Sequence, residues 1–393
     1  MLVSPSPRAP VVDASRGRYS TIDVLRGLAL CSMVTTHTET FTRKTLLWHA
    51  FHVQRWIDGA FLFVALSGMV TGIVHRRVVE RHGLGASQRK LLRRACLIYV
   101  VHVALTVTIL TVRSWREVGS FGDVPTWTAS GGLVRGLLDV LRLRLQLDFN
   151  DILPMYVCFL AWAVLAVALL RRRLGWLVAL ISVIVYALAQ AMGGLAFKPH
   201  SWDIGSWQLL FTAGLLVGWT WEHERLLVAR EWRRRVRRVS VVVWASLFGA
   251  ALVARGSMER EFGRGLGRLN GGWLAFVFTG AAMVVAFPLI DRLWRVPPVI
   301  RPLRMVGIVG SKGLPGFATM VLAILTLDLM PSIPRSDSVN VAVMVLCGCA
   351  EYVALRRYAR KRGAIGPLEP REPPTVHDSE AARSASRAAA HHP

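Results

Sequence analysis

The sequence predicts an all-α polytopic membrane protein of about ten transmembrane helices with both termini in the cytoplasm. Three observations carry that reading. Hydrophobic residues make up 53% of the 393 residues while charged residues are only 18%, below the roughly 25% of a soluble domain. The 48 Lys+Arg outnumber the 24 Asp+Glu and leave a net charge of +24, a balance that elsewhere points to nucleic acid. Here the mean hydropathy is +0.43, so charge and apolarity must be kept in separate places. A bilayer permits that separation, because a helix crossing it satisfies its own backbone polar groups. These figures exclude a soluble enzyme, a secreted disulfide-knit domain and a disordered basic protein, and predict no nucleic-acid partner.

Spans of roughly 17–25 apolar residues centre on 21–38, 57–75, 95–112, 151–170, 174–192, 205–221, 238–254, 272–291, 303–330 and 338–355. The first is marginal because it contains Asp23 and Arg26, and with no small-residue cleavage site it reads as a retained signal anchor. The second and sixth carry GxxxG pairs at Gly68/Gly72 and Gly214/Gly218, the mark of close helix packing. The ninth is interrupted by GSKGLPG (310–316), which sets Lys312 at membrane depth. Between the third and fourth, residues 131–147 mix Arg135, Asp139, Arg142 and Arg144 with leucines, as an interfacial amphipathic helix does. All five cysteines fall within spans and none in an outer loop, so no disulfide framework is expected.

Charge orients the chain. With ten spans, 32 of the 48 basic residues lie on the side of the termini and 14 on the other, with Arg26 and Lys312 left inside spans. The positive-inside rule makes the richer side cytoplasmic. Residues 1–18 read as a cytoplasmic segment, 19–362 as the membrane domain and 363–393 as a disordered, Pro- and Ala-rich cytoplasmic tail. No separate soluble catalytic domain is left, so the chemistry belongs to the spans and their loops.

An ionisable residue inside a span costs about 2.5–3.5 kcal/mol on insertion scales and is a functional candidate on that ground. Arg26 and His37 are eleven residues apart. Eleven steps of 100° end about 20° from the starting direction, so the two share one helix face about 16.5 Å apart. The competing reading is an Asp23–Arg26 interfacial pair with a snorkelling His37. Other polar candidates are Asp58 before the second span, His102 in the third, Asp151 before the fourth, and Trp207 with Gln208 at the start of the sixth. Each has a bland alternative as a helix cap, a belt aromatic or a satisfied core histidine. His49 and His52 are spaced like a metal pair, but no further ligands flank them, and no metal is predicted.

The segment IDVLRGLALCSMVTTH resembles the first helix of integral-membrane acyltransferases with an R-x10-H motif. IDGAFLFVALSGMVTG, RRACLIYVVH, FNDILPMYV, SWQLLFTAGLLVG and PLRMVGIVGSKGLPGF follow in an order similar to that of the OpgC family, over residues 20 to about 330. The resemblance implies a multi-pass protein of the bacterial plasma (inner) membrane. It also implies O-acyl transfer from cytoplasmic acyl-CoA, succinyl-CoA or acetyl-CoA, to a hydroxyl of an envelope glycan. His37 would be the general base, or by an alternative route the carrier of a covalent acyl-histidine intermediate. Thr36 stands where the family has an acidic residue, so Glu39 or Asp58 would orient the imidazole. The ninth-span motif reads GSKGLP rather than G-R-x-S-L-P, so Lys312 would supply its cation. Arg26, Arg93, Arg94 and Lys312 would hold the donor; Asp151, Trp207, Gln208 and His102 would meet the acceptor. A secondary transporter is the rival class, since a broken ninth helix and intramembrane histidines also suit one.

Overall fold

In the computed structural model the described residues of each of the ten apolar segments are helical to within a residue at either end, the ninth segment being split between two helices. The structure describes residues 20–38, 45–51, 59–116, 126–128, 130–145, 149–194, 203–227, 230–253, 272–330, 332–334 and 336–361. All regular structure among them is helical: α1 (Ser20–Thr38), α2 (Leu46–Phe51), α3 (Gly59–Arg116), α4 (Leu133–Leu141), α5 (Ile152–Arg171) and α6 (Gly175–Ala191). There follow α7 (Ile204–Leu227), α8 (Arg230–Val253), α9 (Trp273–Leu293), α10 (Pro297–Gly310), α11 (Leu314–Leu329) and α12 (Asp337–Lys361). Asp58, the two terminal segments, Glu39 and His52 lie outside the described residues.

Among the described residues, four helices are long and apolar enough to cross a membrane by length and composition: Gly59–Trp115, Ile152–Arg171, Trp273–Leu293 and Asp337–Arg357. The pair α10 and α11, bent by 84°, makes a fifth if it is one span. The sequence expectation of about ten differs from this for physical reasons. Helix α1 is diluted by Asp23, Arg26 and His37, α6 has only 17 residues, and α8 opens on a run of arginines. Helix α3 takes up two expected spans at once.

That helix is not straight. Gly83 has φ 79° and ψ 171°, a left-handed conformation that costs a glycine little. His75 Nδ1 and Ser87 Oγ lie 2.8 Å apart across it. Twelve residues of continuous helix would hold them about 18 Å apart. The chain therefore turns back at Gly83, and the two expected spans become the arms of one helical hairpin.

The most extensive packing is between the first arm of α3 and α7. The two GxxxG pairs are the two faces of that one crossing. A Cβ on Gly68 would meet Phe211 O at 2.0 Å, and one on Gly214 would meet Ala65 O at 2.1 Å. Gly72 and Gly218 stand equally close to Leu215 O and Met69 O. Backbone-to-backbone approach of this kind maximises dispersion contact where no water is available to drive association. Beside it, Phe61 stacks on Trp207 at 4.4 Å and Phe159 on Phe211 at 5.3 Å, which ties α3, α5 and α7 into one aromatic core. Helix α1 packs on α10 through a second glycine contact, Gly27 against Val306 O and Gly310 against Asp23 O.

At the end of the bundle away from the α3 bend, Thr38 donates to Asn340, and Asp337 accepts the Leu46 and Leu47 N–H groups. Helix α4 forms within the stretch expected to be amphipathic. It buries Gly136 and Val140 and leaves Leu133, Leu137 and Leu141 exposed. Tyr99 hydroxyl donates to Leu141 O at 2.8 Å and docks it on α3. The described residues up to Ala354 cluster as one compact unit, and Leu355–Lys361 are the last turns of α12.

Candidate functional site

A cavity of about 250 Å³ opens between α1, both arms of α3, α5 and the α10–α11 break. Its wall is mostly apolar, with Phe63, Leu91, Ile98, Leu160 and Phe317, but three basic residues converge on it: Arg26, Arg94 and Lys312. Ser67, Thr71 and His75 line it at i, i+4 and i+8 along the first arm, a spacing that puts all three on one helix face.

Arg26 is brought there by α1 and is 8% exposed. Its guanidinium lies over the Phe63 ring, 5.3 Å from the centroid, a cation–π contact that compensates part of its desolvation. Arg94 comes from the second arm of α3, and its Nη2 donates to Lys312 O at 3.4 Å. Lys312 comes from the break itself, where Ser311, Lys312 and Gly313 join α10 to α11. Gly313 has φ 77°, and a Cβ there would come within 2.7 Å of Arg26 Nη2. Only glycine lets the chain turn this close to the guanidinium. Tyr156 hydroxyl donates to Phe63 O at 3.1 Å and fixes the opposite wall.

Glu351 stands behind the break. It is 0% exposed, and its carboxylate accepts the N–H of Lys312 at 3.0 Å and of Gly316 at 2.9 Å. Its charge also acts on Arg26.

Of the residues singled out in the sequence, Arg26, Arg94 and Lys312 are brought together in this cavity. Arg93, one residue from Arg94, is turned away and exposed. His37 is half-buried in the last turn of α1, on the same unbroken helix as Arg26 and beyond the residues that line the cavity. Thr36 hydroxyl donates to Ser32 O at 2.9 Å.

His102 is fully buried in a polar cluster: Asn150 Nδ2 lies 3.3 Å from its Nδ1 and donates to Thr106 Oγ1 at 2.9 Å. Asp151, the next residue, is buried at the start of α5. Trp207 is stacked in the core. Gln208 donates to Ser182 O and Gly205 O and accepts from Ser182 Oγ and Thr212 Oγ1, so its amide is spent in tying α7 to α6.

Sequence reasoning passed over Glu351, Tyr156, His75 and the buried pair Arg113–Asp328, with N···O 2.5 Å. Two of these had a signal. Glu351 in CGCAEYVAL and Asp328 in LTLDLM are lone carboxylates in apolar runs, and the criterion that selected Arg26 selects them too.

No curated protein and no solved structure matches the chain. A family model does: the one described as OpgC protein matches residues 18–362. With its long apolar helices and this match over most of its length, the chain is a multi-pass membrane protein of acyltransferase type and belongs to the OpgC protein family.

Proposed function

We propose that the protein is a transmembrane O-acyltransferase that moves a succinyl or acetyl group from cytoplasmic acyl-CoA to a hydroxyl of an extracytoplasmic glycan. The observation that carries this reading is the convergence of Arg26, Arg94 and Lys312 on one cavity in an otherwise apolar bundle. Cations placed there cost insertion energy and are matched to an anionic ligand. The cavity lies toward the bend of α3, at the arginine-rich segment 76–94, which supports entry of the donor from the basic, cytoplasmic side.

Arg26 and its neighbours hold anionic groups of the donor, and the thioester points along α1 toward His37, about 16.5 Å further on. There His37 removes the proton of the acceptor hydroxyl. The oxygen attacks the thioester carbonyl, the C–S bond breaks, and the CoA thiolate leaves and takes up a proton. Arg26 and His37 serve the two ends of one substrate because a single rigid helix fixes their separation.

His37→Ala is expected to lower acylation of envelope glycan by at least about 100-fold, the scale of general-base catalysis, with membrane insertion unchanged. Full activity in that variant would overturn the assignment. Arg26→Ala is expected to raise the KM for acyl-CoA about tenfold or more, the loss of one charge-assisted contact. Steady-state kinetics on purified protein separates the two. The 84° break also suits a transporter, and counterflow of a labelled solute without acyl-CoA would favour that class instead.

A further inference from the structure

We propose that Glu351 is a positioning residue of the donor pocket, holding the Lys312 peptide in place from the side opposite Arg94; the proposal rests on the acyl-CoA reading of that pocket. The break between α10 and α11 leaves main-chain groups without helical partners inside an apolar bundle, where each unmet group is costly. Glu351 meets two of them. One oxygen takes Lys312 N–H at 3.0 Å and the other takes Gly316 N–H at 2.9 Å. Arg94 meets a third by donating to Lys312 O. The Lys312 peptide groups are thus held by an accepting carboxylate at the N–H and a donating guanidinium at the carbonyl, from α12 and α3 respectively.

The packing leaves this arrangement little freedom. A Cβ on Gly316 would press on Leu30 at 2.9 Å and on Glu351 Oε1 at 3.1 Å. Gly313, between the two amides that Glu351 holds, is the residue packed against Arg26 Nη2. A shift of the break therefore moves Lys312 and the wall facing Arg26 together. Glu351 also interacts electrostatically with Arg26. It interacts with the charge of Arg94 as well, and both of its oxygens are bonded to the backbone of the break. A carboxylate at a helix N-terminus is favourable in its own right, but a cap for α11 alone does not require a partner that also fixes Lys312.

The test uses the full chain in detergent, with Glu351→Gln as the main variant. The amide keeps the side-chain volume and one acceptor oxygen, and its nitrogen cannot accept the second N–H. Acetyl-CoA and succinyl-CoA are the binding probes, and hydrogen exchange over residues 311–317 is the local readout. The expected results are a Kd raised about tenfold and exchange of that segment accelerated about tenfold, each the equivalent of one lost charge-assisted bond. In a double-mutant cycle with Arg94→Gln, the combined loss of affinity is expected to fall short of the product of the single losses, because both act through one peptide.

A role confined to stability would lower the folded yield and leave the Kd of the folded protein unchanged, and that result overturns the proposal. So do unchanged exchange over 311–317 and strictly multiplicative losses in the cycle. A wild-type chain that binds neither thioester overturns the acyl-CoA reading itself, and the proposal with it. Wild-type binding with an unaltered Glu351→Gln affinity overturns the role of Glu351 alone.

Discussion

Asp328 and Arg113 are 1% and 2% exposed and bonded at 2.5 Å, so each is the other's solvent. Removing one partner strands a buried charge. Asp328→Ala is expected to cost about 3–5 kcal/mol, whereas Asp328→Leu with Arg113→Met is expected to be close to neutral. Thermal unfolding of the purified protein separates the two outcomes, and equal losses would mean that the pair contributes shape and no electrostatic compensation. Gly313 is the second residue whose replacement has a calculable effect. Alanine at φ 77° costs more than about 1 kcal/mol, and its methyl would push on Arg26. Gly313→Ala is expected to weaken acyl-CoA binding about tenfold in a direct binding titration. The sequence disclosed Arg26 and Lys312 because their charges interrupt apolar runs. It did not disclose Glu351 as their companion, since periodicity tells which face a residue occupies and nothing about which distant face it meets. Lys312 and Arg94 are 218 residues apart in the chain.

Helices were the more legible scale. Each apolar run became a helix because a chain without water has no other local way to satisfy its backbone. The GxxxG spacings announced close packing, and the structure added that the two pairs face each other. That contact predicts an asymmetry among glycines of similar sequence setting. Gly68→Val places a side chain where Phe211 O lies 2.0 Å from the first added carbon, so α3 and α7 must separate. Gly280→Ala in α9 has nothing within 4 Å and adds helix propensity. The first is expected to abolish the monodisperse folded species in size-exclusion chromatography, and the second to leave the elution profile and melting temperature unchanged or slightly improved. The turn at Gly83 was less legible. A reversal between the second and third spans was expected from the sequence, but its form was not: helix runs up to both sides of Gly83, and that left-handed glycine, latched by His75 and Ser87, makes the turn.

For the molecule as a whole, the bias of 32 basic residues to 14 predicts that the α3 bend and both termini share the cytoplasmic side. Single cysteines at Gly85 and at Ser336, in a cysteine-free background, are expected to be labelled by an impermeant maleimide from opposite faces of the membrane. Labelling of both from one face would mean an even number of spans between them and would overturn this topology. The same long-range design has a consequence for how the protein is made. The cavity joins Arg26 to Lys312, with Glu351 behind the break, so its first cation leaves the ribosome 286 residues ahead of Lys312. At 5–20 residues per second that interval is roughly 15–60 s. Throughout it, α1 is without α10 and without the acid on α12. A chain that stops before residue 351 lacks the acid behind the bend, so the wall around Lys312 is completed only after that part of α12 has been made.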